Sequence, residues 1–263
     1  MTTTETLASE YDEYLAEGRI WGLVDRERIK KIKFDRVPKE VVDRYLAIED
    51  LTTSVSDVLD SLGIIGAVPA SFLKPLAPGQ QIVGPAVTIR NLVERKTPTQ
   101  GYVDKDFIRM STRDIYYLAE AGDVLVTDTA GDLSVSNMGA QSCTVAKSRG
   151  LAGSIVYGAI RDAGSIRDMG YPVWSSGVTP ITGKFRIEAI EMNGPVTLYD
   201  VRVEPGDLIV ADDSGVCVVP FEHAEYVISE VERIAEAEQT MAKMIIEGAP
   251  IDQLRPLFRK RYS

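Results

Sequence analysis

Gly122-Asp-Val-Leu-Val-Thr-Asp128 and Gly206-Asp-Leu-Ile-Val-Ala-Asp212 each place a glycine–aspartate turn before a continuous apolar run that ends in an acid. Apolar residues at every position, not at alternate ones, suit a strand covered on both faces. We read the echo as two buried strands that need similar entry turns; an internal duplication is the alternative. Between them the spacing predicts a helix from about Met138 to Arg149, stopped by Gly150, then short strands over Ser154–Tyr157 and Pro172–Ser175. Ile209–Val219 reads as a hairpin with Asp213–Gly215 near its turn. Strand, helix, strand order predicts a mixed α/β core.

Upstream, Thr4 to about Lys31 reads as a polar helical segment whose stripe (Tyr11, Leu15, Ile20, Trp21, Leu23, Val24) suits packing on a neighbouring subunit more than a core. Helices are expected over Val41–Leu51 and Thr53–Leu62, and a strand over Ile82–Ile89. Asn91–Arg113 loses periodicity and gathers charge, so it is expected to be a long excursion. Phe221–Ile246 predicts a long helix with Val227, Ile228, Val231, Ile234, Ala235 and Ala237 on its apolar face. The expected organisation is a helical extension over residues 1–50, a core with its long helix over 51–250, and a basic tail over 251–263.

A chain of 263 residues with net charge −10 and a pI near 4.8 offers no basic stripe to track a phosphate backbone, so direct nucleic-acid binding is not expected. Neither a secretory leader nor a membrane span is read, and a cytoplasmic location is expected. Cys143 and Cys217 lie far apart in apolar patterns and read as buried free thiols. The single histidine, His223, follows Pro220 at a helix entry, which leaves no support for a histidine cluster or a serine triad.

Acids, arginines and backbone remain. Arg-Asp occurs at 113–114, 161–162 and 167–168, but only Arg161-Asp162 directly follows a buried strand and its glycine. That puts both side chains at a strand's carboxyl end, where α/β folds bind ligands; a loop salt bridge is the other reading. Ser136-Asn-Met-Gly-Ala-Gln-Ser142 looks like a helix start capped by Ser136 or Asn137, with Gly139 allowing close backbone approach. Its unpaired amides would favour a carboxylate or phosphate, or serve plain capping.

From about Asp57 to Glu236 these landmarks, with Ala146-Lys-Ser-Arg-Gly150, Gly158-Ala-Ile-Arg-Asp162, Pro172-Val, Gly177-Val-Thr-Pro180 and the run Val203–Val216, resemble the RraA-like family. That family includes metal-dependent 4-hydroxy-4-methyl-2-oxoglutarate/4-carboxy-4-hydroxy-2-oxoadipate aldolases, oxaloacetate decarboxylases and the ribonuclease E regulator RraA. The resemblance implies a swivelling-domain type α/β core and a trimer or hexamer with sites between subunits. It also implies Mg²⁺ or Mn²⁺ held by Asp162 with several waters. Arg161 would orient a small 2-oxo or hydroxy carboxylate, and the amides of Gly139, Ala140, Gln141 and Ser142 would take its carboxylate.

One departure bears on the reaction. Where the aldolases carry an acid after the loop glycine, this chain has Ala140. Asp132, Asp128 or an acid from a neighbouring subunit could replace it. Aldol cleavage needs a base for the hydroxyl proton, whereas decarboxylation needs mainly an electron sink. The expectation is therefore a divalent-metal-dependent carbon–carbon lyase, with Arg161, Asp162 and Asp132 as catalytic candidates. Alternatives are a hydrolase, hydratase or isomerase on the same site, or a non-enzymatic regulator of the RraA kind.

Overall fold

Every side chain of the run Val124–Asp128 is buried, and successive residues serve different cores. Leu125 packs with Val87, Ile115 and Cys143, whereas Val124 and Val126 pack with Ile155, Trp174 and Ile209. Leu208 and Val210 likewise face one core while Ile209 and Ala211 face another. This two-sided burial is what the continuous apolar runs dictate.

The computed structural model describes residues 4–22, 24–106 and 113–260. Its elements begin with α1 (Thr4–Ala16), a 3-10 turn (Arg26–Arg28), α2 (Lys39–Leu46) and α3 (Leu51–Ser61). Strands β1 (Ala67–Pro69), β2 (Lys74–Pro75) and β3 (Ile82–Val93) follow, then α4 (Pro98–Val103) and α5 (Arg113–Leu118). The central part comprises β4 (Val124–Asp128), β5 (Ser136–Met138), α6 (Ala140–Ser148), β6 (Gly153–Ile160), α7 (Ala163–Met169) and β7 (Val173–Val178). After β8 (Ile187–Met192), β9 (Val196–Leu198), β10 (Val201–Val203), β11 (Leu208–Asp212) and β12 (Gly215–Val219), the chain ends in α8 (Ala224–Ile246) and α9 (Ile251–Lys260).

The main sheet runs β1-β12-β11-β3-β4-β6-β7-β2, with β5 added to β6 and β8 to β3. Its centre, β3-β4-β6-β7, is parallel, and its β11 side is antiparallel. Helices α2, α3 and α8 cover the β11–β12 side through Tyr45, Val55, Leu59, Val227 and Val231. Helices α5, α6 and α7 cover the parallel part. The architecture is the mixed α/β core that the element order predicts.

The echoed turns are alike in detail. In Glu120–Asp123 the amide of Glu120 donates to Asp123 Oδ2 at 2.8 Å, and in Glu204–Asp207 the amide of Glu204 donates to Asp207 Oδ2 at 2.8 Å. The glycine before each aspartate has positive φ, 90° at Gly122 and 99° at Gly206, a conformation that carries no penalty without a Cβ. The shared motif solves one local problem, burying a strand entry with its amide paired, at two places.

Several expectations need correction. The first helix stops at Ala16, and Gly18 and Gly22 take positive φ beyond it. Tyr14, Ile20, Val24, Ile29 and Ile32 are buried in the chain's own core, so the segment is not a polar appendage; Leu23 lies outside the described residues. Three arginines fasten it. Arg19 donates to the carbonyls of Tyr117 and Ala119 at the end of α5, Arg28 to Ala189 O, and Arg36 forms a two-pronged pair with the buried Asp123 at 2.9 Å. Charged side chains on such a segment mask its burial when only the apolar stripe is read.

The excursion expected from Asn91 starts later, because β3 continues to Val93 by pairing with β8 across a bulge at Arg90–Asn91. Pro98–Val103 within it is helical, with Thr97 as its cap, and residues 107–112 lie outside the described residues. The 251–263 tail is helical to Lys260; residues 261–263 are not described. Strands β6 and β7 extend past the expected limits, to Ile160 and Val178.

Candidate active site

Strand β6 delivers Arg161 and Asp162 at the carboxyl end of the parallel sheet. Its neighbour β5 pairs there, Ser136 opposite Ala159 and Met138 opposite Ile160, and the chain then turns at Gly139 into α6. The Arg161 amide donates to Met138 O at 2.9 Å, and the Thr179 amide to Ile160 O at 2.9 Å. The turn carrying Arg161 and Asp162 is thus fixed between β5 and the segment after β7.

Ser136 and Asn137 are not the helix cap. Both are strand residues, 2% and 1% exposed, and Gly139 stands at the N-cap with no side chain to use. The cap comes from another element: the Ala140 amide donates to Asp162 Oδ2 at 3.0 Å. A carboxylate at a helix N-terminus is stabilised by the unpaired amides and the helix dipole, typically by about 1 kcal/mol. Asp162 itself adopts a left-handed backbone, φ 58° and ψ 34°, a conformation that costs an L-residue about 1–2 kcal/mol. Held by the Ile166 amide on its carbonyl, it aims its side chain at α6 and away from its own helix, α7. Sites of this kind concentrate such strain.

Arg161 Nε lies 3.6 Å from Asp162 Oδ2, and both side chains are about two-fifths exposed. A Cβ on Gly139 would fall 2.7 Å from Asp162 Oδ2 and 3.0 Å from Arg161 Nε, so the glycine gives the close approach the sequence suggests. The structure therefore brings Arg161, Asp162 and the start of α6 (Gly139, Ala140, Gln141, Ser142) into one place. Beneath them, burial pushes the Cys143 thiol up to about 12, with Asp162 adding to the effect; Cys217 is raised to about 12 by burial and Asp212. Neither is a nucleophile in the folded protein. His223 sits in the 3-10 turn that starts α8, not in this cluster.

The two candidate replacement acids differ. Asp128 is 5% exposed and fully engaged: Oδ1 accepts from the Ala130 amide, and Oδ2 accepts from Thr197 N and Oγ1, both at 3.1 Å. It holds β4 to β9 and is structural. Asp132 is half-buried, accepts the Ser134 amide on Oδ1, and through its carbonyl accepts the Ala159 amide at 3.1 Å. The Asp132 backbone thus sits beside Ala159 of β6, the residue three positions before Asp162.

Reading the sequence misses a buried polar set behind the site. Asn91 Nδ2 donates to Asn137 Oδ1 at 3.3 Å, Asn137 Nδ2 to Thr129 Oγ1 at 3.1 Å, and Thr129 Oγ1 to Tyr157 O at 2.7 Å. The available signal was a polar pair, Ser136-Asn137, at positions that continue as strand; it resembles a cap because the same residue types serve both roles.

Among the described residues no group of three or more His, Cys, Asp or Glu side chains is arranged to share a metal. A single carboxylate, about two-fifths exposed, fits a hydrated hard cation, which retains most of its waters, and does not fit a zinc-type cage.

The fold is a mixed α/β core that sets an Arg-Asp pair at the carboxyl end of a parallel strand. The RraA-like family, described as Aldolase/RraA, matches residues 52–218, and the chain belongs to it. Protein DlpA of Legionella pneumophila is 31% identical over 209 residues, 78% of this chain but only 32% of that protein, so the chain spans about a third of its length. A protein of Halalkalibacterium halodurans named "Putative 4-hydroxy-4-methyl-2-oxoglutarate aldolase" is 32% identical over 202 residues, covering 75% of this chain and 85% of its own. Among solved structures, an uncharacterized protein from Pseudomonas syringae pv. tomato superposes with TM-score 0.71 at 26% identity, over 84% of this chain and 100% of that one. An unusual member of the RNase ES inhibitor RraA family from Streptomyces coelicolor superposes with TM-score 0.65 at 27% identity, over 79% and 98%. Among the described residues no helix is long and apolar enough to cross a membrane.

Proposed function

We propose that the chain is a divalent-metal-dependent carbon–carbon lyase acting on a small 2-oxo carboxylate, with decarboxylation its preferred reaction. The observation that carries this is the Asp162 carboxylate set between Arg161 and the amides that open α6. Asp162 would hold Mg²⁺ or Mn²⁺, which supplies Lewis acidity toward the substrate's keto oxygen. The Arg161 guanidinium is a planar two-pronged donor suited to a carboxylate. The Ala140 amide, expected to bind substrate, is already taken by Asp162, so a second negative group would fall to the amides of Gln141 and Ser142.

Ala140 supports the choice of reaction. Its methyl group exchanges no proton, so a hydroxyl-deprotonating step at that position is lost, whereas loss of CO₂ from a 3-carboxylate leaves an enolate that needs only a proton from water. Asp132, whose backbone pairs with Ala159 near the end of β6, is the acid we would assign to aldol cleavage if that reaction occurs. Leu133, Val178 and Ile181 are exposed apolar residues on the segments that border the site, which supports a homo-oligomer covering that rim; the family resemblance is what suggests a trimer or hexamer.

Pyruvate release from oxaloacetate and from 4-hydroxy-4-methyl-2-oxoglutarate, with Mn²⁺ and with a chelator, tests the reading after subtraction of metal-only decarboxylation. Chelator-sensitive turnover of oxaloacetate well above that of the hydroxy acid is expected. Efficient aldol cleavage overturns the preference, and absence of both turnover and stoichiometric metal overturns the lyase.

A further inference from the structure

The buried chain of Asn91, Asn137 and Thr129 has one direction. Thr129 has a single hydroxyl proton and gives it to Tyr157 O at 2.7 Å, so its oxygen receives from Asn137 Nδ2. That fixes the amide orientation, and Asn137 Oδ1 receives from Asn91 Nδ2. Asn91 and Asn137 are 3% and 1% exposed, and Thr129 7%. Each link of the relay thus pairs one donor with one acceptor, so that the network specifies one arrangement.

The relay joins the two halves of the site. Asn137 precedes Gly139 by two residues and so sets where α6 begins. Tyr157 precedes Arg161 by four, and the same Tyr157 carbonyl also takes the amides of Thr129 and Gly131. Gly158, φ 158°, lies against the relay so closely that a Cβ there would be 2.1 Å from Thr129 Oγ1. The distance that defines the site, 3.0 Å from the Ala140 amide to Asp162 Oδ2, is spanned by these contacts and by the backbone bond from Arg161 to Met138.

We infer that Asn137 is a positioning residue, which through Thr129 and Tyr157 sets the start of α6 against Asp162. Its role in turnover rests on the lyase reading; its effect on geometry does not. Asn137→Asp keeps the shape but turns a donor into an acceptor. The Thr129 proton then goes to the new carboxylate, and Tyr157 O loses it. Acidification protonates that carboxylate and restores the donor.

The test follows the Ala140 amide by ¹H–¹⁵N NMR and hydrogen exchange in the full chain without metal. Asn137→Asp is expected to retain its circular dichroism at pH 7, to move the Ala140 proton upfield and to speed its exchange at least tenfold. The spectrum should return toward wild type near pH 5, while isosteric Thr129→Val is perturbed alike at both pH values. Mn²⁺ affinity should fall at least tenfold in both variants. A folded variant with an unchanged Ala140 amide overturns the inference. If Asn137→Asp fails to fold, Thr129→Val decides, and unfolding of both also overturns it, because the relay then holds the sheet as a whole. Failure of the wild type to bind metal or turn over substrate would sink the lyase and leave the amide measurement standing.

Discussion

Asp162 caps a helix that is not its own: its Oδ2 accepts the Ala140 amide at 3.0 Å while its backbone opens α7. Replacing the charge while keeping the shape separates the two roles of this carboxylate. Asp162→Asn still accepts the amide through Oδ1 and, like aspartate, tolerates the left-handed backbone. Calorimetric Mn²⁺ titration should show affinity reduced at least tenfold, with thermal stability within about 0.5 kcal/mol of wild type, as for a surface substitution. Unchanged affinity removes Asp162 as the metal ligand.

Gly139→Ala should disable the site. The new methyl group would meet Asp162 Oδ2 at 2.7 Å and Arg161 Nε at 3.0 Å, forcing both away from α6. Gly164→Ala is the control, since nothing lies within 4 Å of a Cβ there. A tenfold or greater loss of turnover in the first and near-wild-type behaviour in the second is expected in side-by-side kinetics.

Deleting residues 1–31 should abolish the folded state, not merely alter assembly. Tyr14, Ile20, Val24 and Ile29 are core residues, and burying each large apolar side chain is worth about 1.5–3 kcal/mol. Their sum is comparable with the total stability of a domain, about 5–15 kcal/mol. Circular dichroism and thermal melting of the truncated chain check this; a cooperative transition at the wild-type temperature contradicts it.

Asp207 gives a pH signature. Burial raises its carboxyl above the usual carboxylate range, opposed by the amides of Glu204 and Phe221. The folded protein therefore takes up this proton before the unfolded chain does. The contribution to stability is full below the unfolded value of about 4 and is lost as pH rises through the higher folded value. Asp207→Asn should remove that component. The stability difference between wild type and variant should then grow in favour of wild type as pH falls from 7 toward 4 in denaturant titrations.

What the sequence reveals here follows from how local the physics is. Val124–Asp128 and Leu208–Asp212 are legible because full burial writes an apolar residue at every position. Arg161-Asp162 is legible because a strand and a glycine precede it. Asn137 is not, because an asparagine that caps a helix and one buried in a relay have the same local sequence, and only Thr129 and Asn91, brought in by other strands, tell them apart. The N-terminal segment is misread for a related reason: Arg19, Arg28 and Arg36 find their partners at Tyr117, Ala189 and Asp123, far along the chain.

Strand β3 has its two sides completed at different times. Its parallel partner β4 follows within the same half of the chain, but its other edge waits for β11, with Pro85 opposite Leu208 and Ile82 opposite Ala211. As the chain leaves the ribosome, the parallel strands can assemble while a row of buried-type amides and carbonyls on β3 still lacks its neighbour. Closing that edge is a non-local, slow step. A nascent chain stalled before Leu208 would expose a ready template for strand addition, which the β11–β12 hairpin removes when it pairs with β3.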